Sequence, residues 1–438
     1  MGNMEKRRKS GGRKRSPLLF GLTFRVILIV AAAAMFLSYL SVYVNPSVFS
    51  LPLFFGLYFV PILGINLLLL LVAMLRRSAS AWICVAAILL SLLYSELFFK
   101  IGHKEEAQKE GIALKIESYN VGMFSSSANG LSRAECRKEV GNHFAENLPD
   151  IICLQEFFAE SYTQADTIFS AYPHRHYHMF KARNGKLFGN IILSKFPIVE
   201  RGRLSFPNST NLSIFADIEH YGRTLRIYNN HLESYHVSFT ALAHKAAELL
   251  RKKADAAEEA THRLAEKFRK ENPSAEKSSA GNSTAGNPSG RISSAGNPSA
   301  GDPSAESYRE ENDGKRESAG EEITRDIVET HEKMLGTFIK RSQQVDRIIG
   351  HINETPHRTI ICGDFNDTPM SYTYHTLSKN RKDTFEEAGK GFGATFIPVW
   401  PLLRIDYLLV PEDSQCMTHT ILKTQLSDHY PVSAEIII

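Results

Sequence analysis

Three apolar stretches, at about residues 18–44, 49–75 and 81–99, open the chain before any alternation of polar and apolar positions sets in. Each reaches roughly the 20 residues that a helix needs to cross a bilayer. None carries the polar face of a helix packed on a soluble core, and a cleaved signal peptide accounts for one such stretch rather than three. The pattern predicts three transmembrane helices, an anchor over residues 18–101 behind a tail at 1–17. From residue 112 the pattern changes to short apolar strands broken by turn-rich and helix-like segments. Strands are predicted at 114–119, 151–155, 189–194, 212–219, 224–229, 359–363, 405–410 and 432–437, and helices at 133–147 and after Phe158.

One region interrupts that alternation. Residues 239–269 are rich in Ala, Glu, Lys and Arg and read as a surface helix. Residues 274–307 repeat Ala-Gly-Asn or Ala-Gly-Asp at positions 280, 285, 295 and 300. Such a stretch has too little apolar surface to offset its ordering entropy, and disorder is expected there. Helical spacing resumes over 323–352. The reading is one α/β domain over 112–438 with an insertion at 239–322 that acts as a spacer.

Charge adds a direction. Residues 1–101 hold eleven Lys or Arg and two acids, a net of +9, while the whole chain is +4, so the remainder is −5. The basic residues gather in the tail, from Lys6 to Arg15, and at Arg76-Arg77 between the second and third stretches. By the positive-inside rule both belong on the cytoplasmic side. The chain is then a multi-pass protein of the inner membrane, with its domain on the periplasmic side. An acidic domain also argues mildly against a protein held to long nucleic acid by phosphate contacts. Five cysteines show no CxxC and no metal-type spacing, and Cys153 and Cys362 sit in apolar runs, so buried free thiols are expected.

The chemistry lies at the strand ends. Asn120 closes the first predicted strand, Gln155-Glu156 the second, and Asn229-Asn230-His231 another. Gly363-Asp364-Phe365-Asn366 follows an apolar run, Arg404-Ile405-Asp406 opens a strand, and Ser427-Asp428-His429 precedes the last one. A lone Asn120 or Asp406 is more often a turn residue, and a lone His231 a structural histidine. Six such sites in one domain supply what phosphate-ester hydrolysis needs: hard oxygen ligands for Mg²⁺, a water activator, and donors for charge growing on phosphoryl oxygens. No Gly-x-x-x-x-Gly-Lys-[Ser/Thr] loop suggests a kinase or motor, and no Gly-x-Ser-x-Gly elbow an acyl hydrolase.

In this order the motifs resemble the endonuclease/exonuclease/phosphatase superfamily, typified by pancreatic deoxyribonuclease, AP endonucleases, neutral sphingomyelinases and inositol polyphosphate phosphatases. The resemblance runs from about residue 114 to the C-terminus, outside the insertion. It implies a four-layer αββα sandwich and a membrane-anchored phosphoesterase of bacterial type. It also implies Glu156 as principal Mg²⁺ ligand (Mn²⁺ as substitute), with Asn120 and Asp428 in the metal shell. Asp364 would deprotonate the attacking water and Asn366 hold it. His231 and His429 would donate to the phosphoryl oxygens, with Asp406 orienting His429. Where many relatives have Thr before the strand-end His, this chain has Asn230. The phosphate-binding Tyr or Arg of many relatives has no clear match, Tyr177, His178 and Arg183 being the candidates. Segment 385–401 is expected at the cleft rim. The implied substrate is a phosphodiester or phosphomonoester (lipid, nucleotide or nucleic acid), with the lipid bilayer as partner. The alternatives are an extracytoplasmic nuclease and an inactive membrane-displayed binding module.

Overall fold

The computed structural model describes residues 17–102, 110–125, 130–207, 209–235, 239–271 and 303–438. The basic tail and most of the repeat segment lie outside these residues. The chain divides into two units, one comprising Met1–Tyr235 with Leu335–Ile438 and the other His236–Met334. The second unit contains the helix Phe239–Glu271 and the first part of the helix Pro303–Glu354, with i,i+4 ion pairs such as Lys252–Glu248 at 2.8 Å and Lys333–Glu329 at 2.7 Å on exposed faces.

In the first unit, two six-stranded mixed sheets pack face to face. One runs Arg381–Asp383, Asp406–Pro411, Arg358–Asp364, Arg223–His231, Leu212–His220, Ile198–Ser205. The other runs Gln415–Ile421, Val432–Ile437, Ala113–Asn120, Ile151–Ala159, Leu187–Ser194, His174–Lys181. Apolar side chains alternate inward from both, and Ile116, Ile151, Cys153 and Ile192 meet Ile214, Ile227, Ile360 and Leu408 between the sheets. On the outer face of the second sheet, Cys136, Val140 and Phe144 of the helix Arg133–Asn147 cover Ile152, Leu154 and Ile191. On the outer face of the first, Val345, Ile348 and Ile352 cover Phe215, Tyr228 and Ile361. Helix, sheet, sheet and helix follow one another through the unit. All five cysteines are free and buried.

Each sheet holds one parallel pair at its centre, and that pairing places the chemistry. Asn120 lies beside Gln155, and His231 beside Asp364, so four polar strand ends open on the same rim of the sandwich. The antiparallel neighbour enters at that rim with Asp406 opposite Asp364, and Val432 opposite Ser118 brings the preceding Ser427-Asp428-His429 there as well.

The expectation of three transmembrane helices is corrected. Among the described residues one helix, Gly21–Leu40, is long and apolar enough to cross a membrane, or two if the bent pair described next is counted as one span. The second apolar stretch breaks at Tyr58 into Leu51–Leu57 and Phe59–Leu75, bent by 74°, and the third is a shorter helix continued by a 3-10 turn to Leu97. The bend has a physical cause. Residues 51–57 turn to lie on the α/β domain, and a Cβ at Gly56 would come within 2.2 Å of the Met370 carbonyl oxygen. The Ser41 hydroxyl donates to that same oxygen at 2.7 Å, and Phe54 packs edge-on against Phe338. An all-apolar composition cannot distinguish a face turned to lipid from a face turned to protein. The N-terminal segment is therefore part of the folded unit and not a loose tether.

Candidate active site

Local backbone geometry aims the strand-end groups. The pairing of Ile151–Ala159 with Leu187–Ser194 slips between Leu154 and Phe157, a bulge that holds Glu156 at φ +50°. Asn366 lies at φ +52°, and Met123 and Phe124 at +52° and +57°. Left-handed backbone at non-glycine residues is costly and persists where surrounding contacts impose it. Gly363, at φ +124°, has no alternative, because a Cβ there would stand 2.0 Å from the Asn230 carbonyl oxygen.

Asn120 and Asp364 form the centre. The Asn120 amide donates to Asp364 Oδ2 at 3.0 Å and to Glu156 Oε1 at 3.3 Å, while its oxygen accepts from the Gly122 N–H at 3.0 Å. Asp364 is buried and accepts from the Asn366 backbone N–H at 2.8 Å and the Asn366 amide at 3.1 Å. The Asn366 amide also donates to the Leu232 carbonyl at 3.0 Å, tying the Gly-Asp-Phe-Asn loop to the strand that ends in His231. Among the described residues His231 Nε2 has no hydrogen-bond partner, although it lies 3.4 Å from Glu156 Oε1 and 3.9 Å from Asp364 Oδ2. A buried ring nitrogen without a partner is suited to an incoming polar group.

His429 extends the network. Its Nε2 lies 3.9 Å from Asp364 Oδ2, and its Nδ1 lies 2.9 Å from Asp406 Oδ2. The backbone N–H groups of Ile405 and Asp406 both donate to Thr395 Oγ1 at 3.1 Å, which fixes the strand entry. Burial pushes the Asp364 carboxyl up to about 6, with His429, His231 and Asn120 pulling it back and Asp406 pushing further up. Burial alone would lower His429, but the Asp406 and Asp364 carboxylates outweigh it and hold the imidazole well above its ordinary range.

The structure thus brings Asn120, Glu156, His231, Asp364, Asn366, Asp406 and His429 into one contact network. Asp428 stands beside it, exposed, with Oδ1 3.2 Å from Ser427 Oγ, whose hydroxyl donates to the Asn120 carbonyl at 2.7 Å. The other phosphate-binding candidates are engaged elsewhere or exposed. Tyr177 donates to Asp166 at 2.8 Å, His178 faces Arg203 at 2.8 Å, and Arg183 is exposed on a turn. Thr395 and Phe396, whose ring lies 5.1 Å from that of His429, had no signal in the sequence beyond their place in the expected rim. A buried layer supports the floor: Gln155 donates to Asn229 at 2.6 Å across the sheets, and Asn229 donates to the carbonyls of Leu154 and Ile191.

Two donor sets compete for a metal. Ligand atoms of Asp364, Asp406 and His429 lie within 4.8 Å of one another. In that set the His429 imidazole is already engaged at Nδ1 by Asp406, whose carboxylate favours its protonated form over the neutral form a metal requires. Glu156 is partly open to solvent, its Oε1 is faced at 3.3 Å by the Asn120 amide nitrogen, and its carboxylate is a hard oxygen donor of the kind that suits Mg²⁺. A carboxylate at that position is chemically fit to hold a divalent cation.

A family model described as the endonuclease/exonuclease/phosphatase family matches residues 118–429, and a second, described as a domain of unknown function (DUF8431), matches residues 21–97. Similar solved structures include an endonuclease/exonuclease/phosphatase family protein from Bacteroides thetaiotaomicron, at 16% identity over 75% of this chain and 99% of that one, TM-score 0.43. Another is D. rerio TDP2 complexed with single-strand DNA product, at 15% identity over 74% and 99%, TM-score 0.42. A third is the mannosyl-6-phosphatase of Bacteroides thetaiotaomicron VPI-5482, at 15% identity over 74% and 100%, TM-score 0.40. A comparison with curated proteins returned no match.

Proposed function

Because the chain belongs to the endonuclease/exonuclease/phosphatase family, a family of phosphoric ester hydrolases that are in general divalent-metal dependent, we propose that this cleft hydrolyses a phosphodiester or phosphomonoester with Mg²⁺. The observation that carries the reading is the chain Asn120–Asp364–His429–Asp406, joined by hydrogen bonds and contacts of 2.9–3.9 Å. Asp364 takes the proton of the attacking water, a role suited to a carboxyl raised toward neutrality. Asn366 and Asn120 fix that carboxylate through their amides. His231 and His429 donate from Nε2 to the non-bridging oxygens, and Asp406 keeps the His429 tautomer and favours its cation. Glu156, with Asn120 and Asp428, would hold the metal, which when bound supplies positive charge against the phosphoryl oxygens.

The apolar segment supports membrane attachment. Arg25, Arg76 and the loop at Ser80 gather at one end of the helices, where Arg25 donates to Ser80 at 3.2 Å and Arg76 lies 4.8 Å from the Phe24 ring centroid. The opposite end meets the α/β domain. A crossing by Gly21–Leu40, about 30 Å of helix, then leaves the domain on the side away from the basic tail, outside the cytoplasm.

The test uses the full chain in detergent micelles, since residues 21–97 pack on the domain. Hydrolysis of bis-p-nitrophenyl phosphate, of phosphatidylglycerol and of single-stranded DNA is measured with Mg²⁺ and with EDTA. EDTA is expected to remove at least 99% of the activity, and Mg²⁺ to restore it. Activity indifferent to EDTA would contradict the reading. Cleavage of DNA alone would favour the nuclease alternative.

A further inference from the structure

The rim of the site is built into the membrane-proximal segment. Phe99 and Lys100, at the end of the third apolar stretch, pair with Phe392 and Gly391, and the Gly393 N–H donates to the Phe98 carbonyl at 2.9 Å. Three residues later Phe396 bridges to His429, the Ile397 N–H donates to the Asp428 carbonyl at 2.9 Å, and the Tyr430 N–H donates to the Thr395 carbonyl at 2.8 Å. No more than about 11 Å of extended chain separates the bond to the apolar segment from the contact with His429.

That short path is lined with apolar surface facing outward. Exposure is 45% at Phe99, 91% at Ile101, 48% at Phe392, 45% at Trp400 and 38% at Leu402. It continues the exposed Leu89, Leu90, Leu92 and Leu93 of the preceding helix and turn. Lys423 stands over the Trp400 and Tyr430 rings, 5.1 and 4.3 Å from their centroids. An aromatic and apolar band ending in a cation is the composition of a membrane–water interface. Contiguous apolar exposure of this kind marks a lipid or protein surface, and its continuity with the helical segment favours lipid.

Resting on the hydrolase reading above, we propose that the site takes its phosphate ester from an amphiphile held in the bilayer, with rim residues 392–402 seated in the interface. The ester phosphate of such a molecule lies at the bilayer surface, within reach of His231 and His429, while its chains stay in the apolar layer. A nucleic acid would instead need a wetted, cationic rim.

The chain has two tryptophans, so Trp82→Phe in the full-length protein leaves Trp400 as the sole indole reporter. In phosphatidylcholine vesicles whose acyl chains are brominated near the headgroup, its emission is expected to fall at least two-fold relative to unbrominated vesicles. Unchanged emission overturns the proposal without touching the hydrolase reading. Leu402→Asp is expected to raise the apparent KM for phosphatidylglycerol or phosphatidic acid in vesicles at least ten-fold more than that for bis-p-nitrophenyl phosphate. Leu402→Met should not. Equal effects on both substrates, or turnover of the soluble ester or of DNA with no lipid turnover, overturn the proposal; failure on every substrate counts against the hydrolase reading instead.

Discussion

Replacing Asp364 by Asn is expected to lower kcat by about 10³- to 10⁴-fold, the upper range for a general base. An amide has no proton-accepting role for the attacking water. It also fits poorly despite its shape. Asp364 Oδ2 accepts from the Asn120 and Asn366 amides, and neither donor is free to turn: the Asn120 oxygen accepts from Gly122, and the Asn366 amide also serves the Leu232 carbonyl. An NH₂ placed there faces two other NH₂ groups, and an unmade hydrogen bond at a buried site costs about 1–3 kcal/mol. A lowered melting temperature together with the loss of kcat is the expected pair of results. Loss of kcat smaller than ten-fold would remove Asp364 from the role of base.

Asp406→Asn is expected to cost about 10²- to 10³-fold in kcat at pH 7–8 and to change the pH profile. In the native chain the Asp406 carboxylate, 2.9 Å from Nδ1, contributes most to keeping His429 protonated against its burial. A folded pKa above the unfolded value contributes stability that is complete below about 6.5 and lost as pH rises through the folded pKa. Removing the carboxylate lets burial pull His429 down, so the alkaline limb of kcat/KM should move to lower pH and part of the stability advantage below pH 6.5 should vanish. An amide can also turn either end toward Nδ1, so the tautomer is no longer imposed. A pH–rate profile of the variant that superimposes on the native one, scaled only in height, would show that Asp406 acts through structure alone.

Much of the fold is legible in the chain because the eight strands read from it lie mostly inside the sheets, where apolar residues recur without interruption. The strands of the two large sheets missing from that reading, His174–Lys181, Ile198–Ser205, Arg381–Asp383 and Gln415–Ile421, are their four outer edges; the two-residue strands Phe99–Lys100 and Gly391–Phe392 are missing as well. Edges are half-wet and carry charges such as Arg175, Arg201, Arg203 and Lys382, which hide the period of two. The site residues are legible for a related reason. Gly363, Asp364, Asn366 and His429 sit at strand ends, where a polar residue after an apolar run is conspicuous. Thr395 and Phe396 lie in an irregular segment, and nothing in their neighbours foretells that they hold Asp406 and touch His429. The apolar N-terminal segment is the opposite case. Its composition is obvious, but the packing of Gly56 and Ser41 on Met370, which breaks the second stretch, depends on a contact more than 300 residues away in sequence.

The most direct measurement is a Mg²⁺ titration of bis-p-nitrophenyl phosphate hydrolysis by the EDTA-treated full chain, run beside Glu156→Gln. If Glu156, Asn120 and Asp364 form one metal-dependent site, activity rises from near zero as Mg²⁺ is added, and the variant needs at least ten-fold more Mg²⁺ to reach half its maximum. Superimposable titration curves for the two proteins, or full activity before any Mg²⁺ is added, would contradict a metal held at Glu156.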